Sequence, residues 1–246
     1  MAKTASKIRR WPFGPMVTYM IKSFVCVCTG NKFPPSYVNT LYNMVERNST
    51  DVRFHVITDS YKAGFDSNIK QIIVQPLYKT WWNKVHMFRD DIGLEGTVIF
   101  MDLDVVILKN IDHLWEFEGD AFVIIQDFNR CRIKNYHVRN SSVMKFHAGN
   151  EVDMWNKFKN NPTKIQSSYQ GDQNYVTAER PDSCLWPHDW IMSYKWEIGL
   201  MQEDKIRAND KIRNSAIPND CCVAVFHGRP NPGDIKHDPI ILEHWK

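Results

Sequence analysis

The sequence predicts an α/β fold with a mainly parallel central sheet, helices on both faces and a smaller antiparallel part. Three observations predict it. Short apolar runs of strand composition alternate with segments whose apolar residues recur at helical spacing. Several runs are apolar throughout, as in strands buried on both faces. The 246 residues, 43% hydrophobic and 24% charged, suffice for one substantial core without staples.

The elements follow in order. Residues 1–21 read as an N-terminal tail and 22–246 as a single domain. SFVCVCT (23–29) is a first buried strand. Pro34-Pro35-Ser36 opens a helix with Val38, Leu41, Tyr42 and Val45 on one face. RFHVIT (53–58) and QIIVQ (71–75) are the next strands. Thr80 to Asp90 reads as a helix carrying Trp81, Val85 and Phe88. TVIFMD (97–102) is the most apolar strand, followed by AFVII (121–125). Val152, Trp155 and Phe158 mark another helix, and VAVFH (223–227) is a late strand. Beyond residue 125 the alternation is less regular, which is where antiparallel strands are expected.

Composition excludes several classes. Thirty-one basic against 28 acidic residues give a net charge of +3, too balanced to indicate nucleic-acid binding. No apolar run approaches the ~20 residues that span a bilayer. None of the six cysteines forms a C-x-x-C pair, and Cys26 and Cys28 share one side of a strand as small core thiols. The basic start (Lys3, Lys7, Arg9, Arg10) leads into Trp11-Pro12-Phe13-Gly14-Pro15 and not into the apolar core of a signal peptide. A reducing, cytoplasmic location is therefore expected, in which the sequons at Asn48 and Asn140 carry no meaning. The start reads as a loose tail, with weak peripheral membrane contact as the alternative.

The chemistry concentrates in residues 98–108, VIFMDLDVVIL. Asp-x-Asp alone is a weak signal, but here two carboxylates interrupt an otherwise apolar run. Burying one unpaired costs several kcal/mol, so something must compensate. Residues i and i+2 of a strand share a face, so Asp102 and Asp104 are expected to aim together at a strand end, where open α/β sheets bind ligands. Two oxygen donors without a thiolate favour Mg²⁺ or Mn²⁺. The bland alternative is a carboxylate pair that caps a turn. The chain lacks G-x-x-x-x-G-K-[ST], G-x-G-x-x-G and H-E-x-x-H motifs. A metal would then have to neutralise phosphates, which suits sugar transfer from a nucleotide-diphosphate donor.

At this point the residues carry a resemblance. The first-strand turn Cys28-Thr29-Gly30-Asn31-Lys32-Phe33, then Thr58-Asp59, Trp81-Trp82-Asn83-Lys84, Met101-Asp102-Leu103-Asp104, Asn140-Ser141-Ser142-Val143-Met144, Gly171-Asp172-Gln173 and Phe226-His227-Gly228 occur in that order. Together they resemble the metal-dependent glycosyltransferases of the GT-A (Rossmann-like) fold, most closely the family-eight and glycogenin-like group. The resemblance covers residues 24 to 228. It departs from the family where Phe33 stands for the usual Tyr and Ser142 for the usual Gly.

The resemblance implies a UDP-sugar donor, an acceptor of unknown kind and a retaining outcome. Thr29, Gly30, Phe33 and Asp59 would hold the nucleoside, with Phe33 stacking on the base. Lys84, Asn140 and Ser141 would contact the donor. Asp102 and Asp104, with Leu103 between them, would hold the metal. His227 would be its third ligand, tilting preference toward Mn²⁺, beside Gly228. Arg229 would clamp a phosphate oxygen. Asp172 and Gln173 would act at the reacting sugar, and Asp127 would serve as a base or bind acceptor hydroxyls. Nine tryptophans are many for this length. Trp186, Trp190 and Trp196 read as core packing, with an acceptor platform as the alternative. Two other functions stay open. One is a haloacid-dehalogenase-like phosphohydrolase, whose D-x-D-x-[TV] signature Asp102-Leu103-Asp104-Val105-Val106 satisfies. The other is a non-catalytic nucleotide-sugar-binding module.

Overall fold

The computed structural model describes residues 20–131, 133–198 and 217–246. The expected tail lies almost wholly outside the described residues. The chain begins with β1 (Lys22–Cys28), α1 (Pro35–Asn48), β2 (Val52–Thr58) and β3 (Lys70–Ile73), then a 3-10 helix at Thr80–Phe88. Next come β4 (Thr97–Met101), β5 (Val105–Ile107), α2 (Asp112–Glu116), β6 (Val123–Gln126) and β7 (Arg139–His147). Three helices follow, α3 (Val152–Asn160), α4 (Pro162–Ser168) and α5 (Asp172–Glu179). The last described elements are β8 (Cys184–Leu185), β9 (Ile191–Ser193), β10 (Val223–Val225) and α6 (Pro239–His244).

Seven strands form the central sheet in the order β3-β2-β1-β4-β7-β6-β8. β3, β2, β1 and β4 are parallel neighbours, whereas β7 runs antiparallel to both β4 and β6. Antiparallel strands thus occur beyond residue 125, as expected, in β7 and in β10, which pairs back onto β5. A second sheet, β5-β10-β9, takes the chain that leaves β4. The switch between sheets occurs at Asp102-Leu103-Asp104.

Strand periodicity divides the core. Phe24, Cys26 and Cys28 face α1 and the second sheet, together with Val38, Leu41, Val45 and Val105 to Ile107. Val25, Ile57, Val98 and Phe100 face the 3-10 helix, α3 and α5. α1 forms where expected because Pro35 sits in its first turn, where no N–H bond is lost, and Val38, Leu41, Tyr42 and Val45 make one buried stripe. Each fully buried aliphatic side chain on it contributes about 1.5–3 kcal/mol of transfer free energy. Cys26 and Cys28 are free, buried thiols. Burial pushes both thiols above their ordinary pKa.

Two local expectations are corrected. The segment after Thr80 is a 3-10 helix, with three residues per turn, so Trp82, Val85 and Phe88 point inward together. Trp82 is 4% exposed and stacks on Phe158 at 5.4 Å, whereas Trp81, expected on the buried face, is 49% exposed. The strand expected over 121–125 begins at Val123. No described helix is long and apolar enough to cross a membrane.

Candidate active site

The carboxyl ends of β1, β2 and β4 open on one edge of the sheet. Beyond β1, Gly30 has φ +66°, a left-handed conformation that disfavours a side chain, and a Cβ there would meet open space. Its N–H donates to Asp59 Oδ2 at 3.0 Å, which ties the turns after β1 and β2 together. Lys62 Nζ lies 3.1 Å from the other oxygen. Burial pushes the Asp59 carboxyl up, but the Gly30 N–H and Lys62 outweigh it and hold the pKa below the usual range. Phe33 is half-buried, 4.9 Å from the Tyr37 ring, with Lys32 Nζ 4.7 Å from its own ring centre. Thr29 Oγ1 accepts from Asn83 Nδ2 at 3.0 Å. The structure therefore brings Thr29, Gly30, Phe33 and Asp59 to one strand edge.

Asn83 anchors the 3-10 helix over this edge. Its amide accepts from Tyr78 N–H at 2.8 Å and donates to Tyr78 O at 2.9 Å. One residue on, Lys84 enters a carboxylate cluster. Its Nζ is 2.8 Å from Asp102 Oδ1 and 3.4 Å from Asp172 Oδ2. Ser141 Oγ donates to Asp172 Oδ2 at 2.6 Å, and Asn140 Oδ1 accepts from the Ser142 N–H at 3.0 Å. Asp172, expected at a helix start, is in the first turn of α5, where the helix dipole favours its charge. Burial alone would pull the Lys84 pKa down, but Asp102 and then Asp172 push it up and win. A lysine from another element thus compensates Asp102 and Asp172. Gln173 follows Asp172, and its backbone carbonyl accepts from Thr177 Oγ1 at 2.7 Å.

Asp102 and Asp104 flank Leu103 in a turn between the two sheets, not on a continuous strand. Leu103 is buried in the core and anchors that turn. The Asp102 N–H donates to Ser142 O at 2.9 Å, which extends the β4–β7 pairing by one residue. The Asp104 carbonyl accepts from the Phe226 N–H at 2.9 Å, continuing the β5–β10 pairing. Burial, then the Asp102 charge, pushes the Asp104 pKa up to about 7. Among the described residues Asp104 has no ion-pair partner, unlike Asp102. Two repelling carboxylates, one of them uncompensated, fit a hard divalent cation in charge and donor chemistry.

His227 does not complete a ligand set in this arrangement. Its Nε2 and Ser193 Oγ share a hydrogen bond at 2.6 Å. Its ring stacks on Phe128 at 5.3 Å and meets the Trp196 edge at 4.2 Å. Burial, then the Lys195 charge, pushes its pKa down to about 4, so the imidazole is neutral. Among the described residues no group of three or more His, Cys, Asp or Glu side chains is arranged to hold a metal ion. Asp102, Asp104 and His227 are thus not drawn together as a three-ligand group among the described residues, and His227 faces Ser193. Gly228 has φ +73°. Lys195 Nζ donates to His227 O at 2.7 Å and to Arg229 O, bracketing that glycine, while the Arg229 side chain is exposed.

Among the described residues Asp127 makes no hydrogen bond or ion pair with the cluster. Its Oδ1 accepts from the backbone and side-chain nitrogens of Asn129, both at 2.8 Å, so the carboxylate caps the turn after β6. Trp186 is buried, with Nε1 donating to Val143 O at 3.2 Å, so it belongs to the core reading. Lys32 and Asn83 stand inside the motifs quoted above without a role of their own, and Ser193 and Lys195 carry no signal in the sequence: a single Ser or Lys makes no pattern, and only the fold brings them beside His227.

No family model matches the sequence, and no curated protein matches it. The fold, by contrast, has solved relatives. It superposes on the galactosyltransferase LgtC, solved with donor and acceptor sugar analogs, with a TM-score of 0.60 at 16% identity over 85% of this chain and 88% of that one. It also matches the glycosyltransferase GlyE of Streptococcus pneumoniae TIGR4 with a TM-score of 0.62 at 10% identity, over 86% of this chain and 56% of GlyE. The bifunctional glycosyltransferase WbbM gives a TM-score of 0.54 at 10% identity, with 94% of this chain covering 52% of WbbM. The chain has the GT-A glycosyltransferase fold.

Proposed function

We propose that the chain is a glycosyltransferase that moves a sugar from a UDP-sugar to an acceptor hydroxyl. The observation that carries this reading is the Lys84–Asp102–Ser141–Asp172 cluster at the carboxyl edge of parallel strands, in a fold shared with LgtC. The likeness to LgtC, solved with donor and acceptor sugar analogs, supports a nucleotide-sugar donor. Against a phosphohydrolase stands the place of the motif, which follows β4, where that family would carry it on the first strand.

In this reading Thr29, Gly30, Phe33 and Asp59 receive the nucleoside, with the open backbone at Gly30 allowing close approach and Phe33 stacking on the base. The bond from the anomeric carbon to the diphosphate oxygen breaks, and the electron pair leaves with UDP. A divalent cation, Mn²⁺ or Mg²⁺, held by Asp102 and Asp104 supplies Lewis-acid charge to that leaving group when bound. Lys84 provides a fixed positive charge beside it, and Arg229 clamps a phosphate oxygen. Asp172, oriented by Ser141, and Gln173 face the sugar and stabilise its developing positive charge. The acceptor oxygen forms the new bond and gives its proton to an oxygen of the departing diphosphate. Retention follows if the acceptor enters on the face that UDP leaves.

The test is a screen of UDP-sugars for UDP release with and without Mn²⁺, in the wild type and in Asp104→Ala. Mn²⁺-stimulated release that disappears in the variant is expected. EDTA-insensitive release at the wild-type rate in Asp104→Ala refutes the cation role. UDP-sugar binding with no release from any sugar would identify a binding module, and turnover of p-nitrophenyl phosphate would reinstate the phosphohydrolase.

A further inference from the structure

Trp81 is the large aromatic side chain that the fold leaves at the cluster without a packing role. It is 49% exposed, and among the described residues it makes no ring stack and no hydrogen bond. In the 3-10 helix, residues three apart eclipse, so Trp81 lies directly above Lys84, whose ammonium joins Asp102 and Asp172. The next observation comes from the other side of the site. Gly171 precedes Asp172 at the start of α5 with φ −172°, an extended value open to any residue. Its glycine is therefore not required by the backbone. Space is what a side chain there would contest: a Cβ would lie 2.9 Å from Trp81 Nε1, so the indole would have to move. The room beside the residue that precedes Asp172 goes to an indole exposed to solvent. Thr80, immediately before, has φ +49°, a costly conformation for a β-branched residue. Both features adjoin Trp81.

We infer that Trp81 is a binding residue for the transferred sugar, its indole forming a platform for one face of a hexopyranose beside Lys84 and Asp172. This rests on the nucleotide-sugar reading above and deepens it. A pyranose chair presents polarised C–H groups on a face and hydroxyls on its edge. The C–H face suits the electron-rich face of an indole. The edge hydroxyls are then within the province of the neighbouring ammonium and carboxylate. The platform selects hexoses whose C–H face is unbroken by an axial hydroxyl on the stacking side.

Calorimetric titration of UDP, UDP-glucose and UDP-galactose with Mn²⁺ present, on the wild type, Trp81→Ala and Trp81→Phe, tests this. UDP affinity should stay within about twofold in both variants. The affinity of whichever UDP-hexose the wild type binds better should fall about tenfold in Trp81→Ala, with most of it kept in Trp81→Phe. Unchanged UDP-hexose affinity in Trp81→Ala overturns the platform while leaving the nucleotide-sugar reading intact. Equal losses for UDP and UDP-hexose also overturn it, because they mark a structural role. A wild type that binds neither UDP nor a UDP-hexose refutes the nucleotide-sugar reading itself and the platform with it.

Discussion

Replacing Lys84 by methionine keeps most of the side-chain stem and deletes the charge on which the carboxylate cluster depends. At 2.8 Å from Asp102 and 3.4 Å from Asp172, each attraction is on the order of 5 kcal/mol at an effective dielectric constant of about 20. Desolvation of the three groups offsets much of that sum. Removing one partner of a buried pair nevertheless costs about 3–5 kcal/mol, because the remaining charges stay desolvated. The Asp102 side chain is 23% exposed, so water relieves part of the penalty and the lower end, about 3 kcal/mol, is expected. For a chain of this size that lowers Tm by about 6–12 °C near neutral pH. The deficit should depend on pH. Burial already holds the Asp102 carboxyl above its ordinary range against the pull of Lys84; without the ammonium it binds its proton more tightly still in the folded state, so the variant loses further stability as pH rises above about 4. Mn²⁺, by supplying positive charge to Asp102 and Asp104, should restore part of the loss. Thermal melts at about pH 4.5 and pH 8, each with and without Mn²⁺, check all of this. A Tm within about 2 °C of wild type at pH 8, or the same deficit at both pH values, refutes the charge balance described here.

Two further predictions concern the same edge. The Asp104 carboxyl, pushed up to about 7, binds its proton more tightly folded than unfolded, so the wild type should lose stability as pH rises from about 4 through 7. Asp104→Asn should remove that slope and be more stable than wild type at about pH 8, by about 2 kcal/mol after allowance for partial exposure, with no gain near pH 4; urea melts at both pH values read this, and parallel wild-type and variant curves contradict it. Phe33→Ala should weaken UDP binding by about tenfold if the base stacks there, and unchanged affinity by calorimetry rules out stacking at that ring.

Much of the scaffold was legible because hydrophobic periodicity is local. The spacing of Val38, Leu41, Tyr42 and Val45 marks α1, and the apolar runs around Cys26, Val56 and Ile99 mark three parallel neighbours of the sheet. The phase of the helix after Thr80 was not legible. Trp81 and Trp82 are chemically equal in sequence, and the choice between them depends on whether the turn holds three residues or 3.6. That choice is made by packing of Trp82 against Phe158 on α3, far along the chain.

The sequence by itself determined that two carboxylates, Asp102 and Asp104, interrupt an apolar run and need compensation, because burying charge costs energy whatever surrounds it. It also determined an α/β class with the antiparallel strands late in the chain. The tertiary structure alone decided what compensates: Lys84 arrives from the 3-10 helix to pair with Asp102, and it also meets Asp172 of α5, which Ser141 of β7 holds by a hydrogen bond. It alone decided that His227 turns to Ser193, that Asp127 caps a turn and that Trp81 stands in the open. Electrostatic and packing partners are set by distance in space, and residues 31 or 57 positions apart carry no record of that distance in their order along the chain.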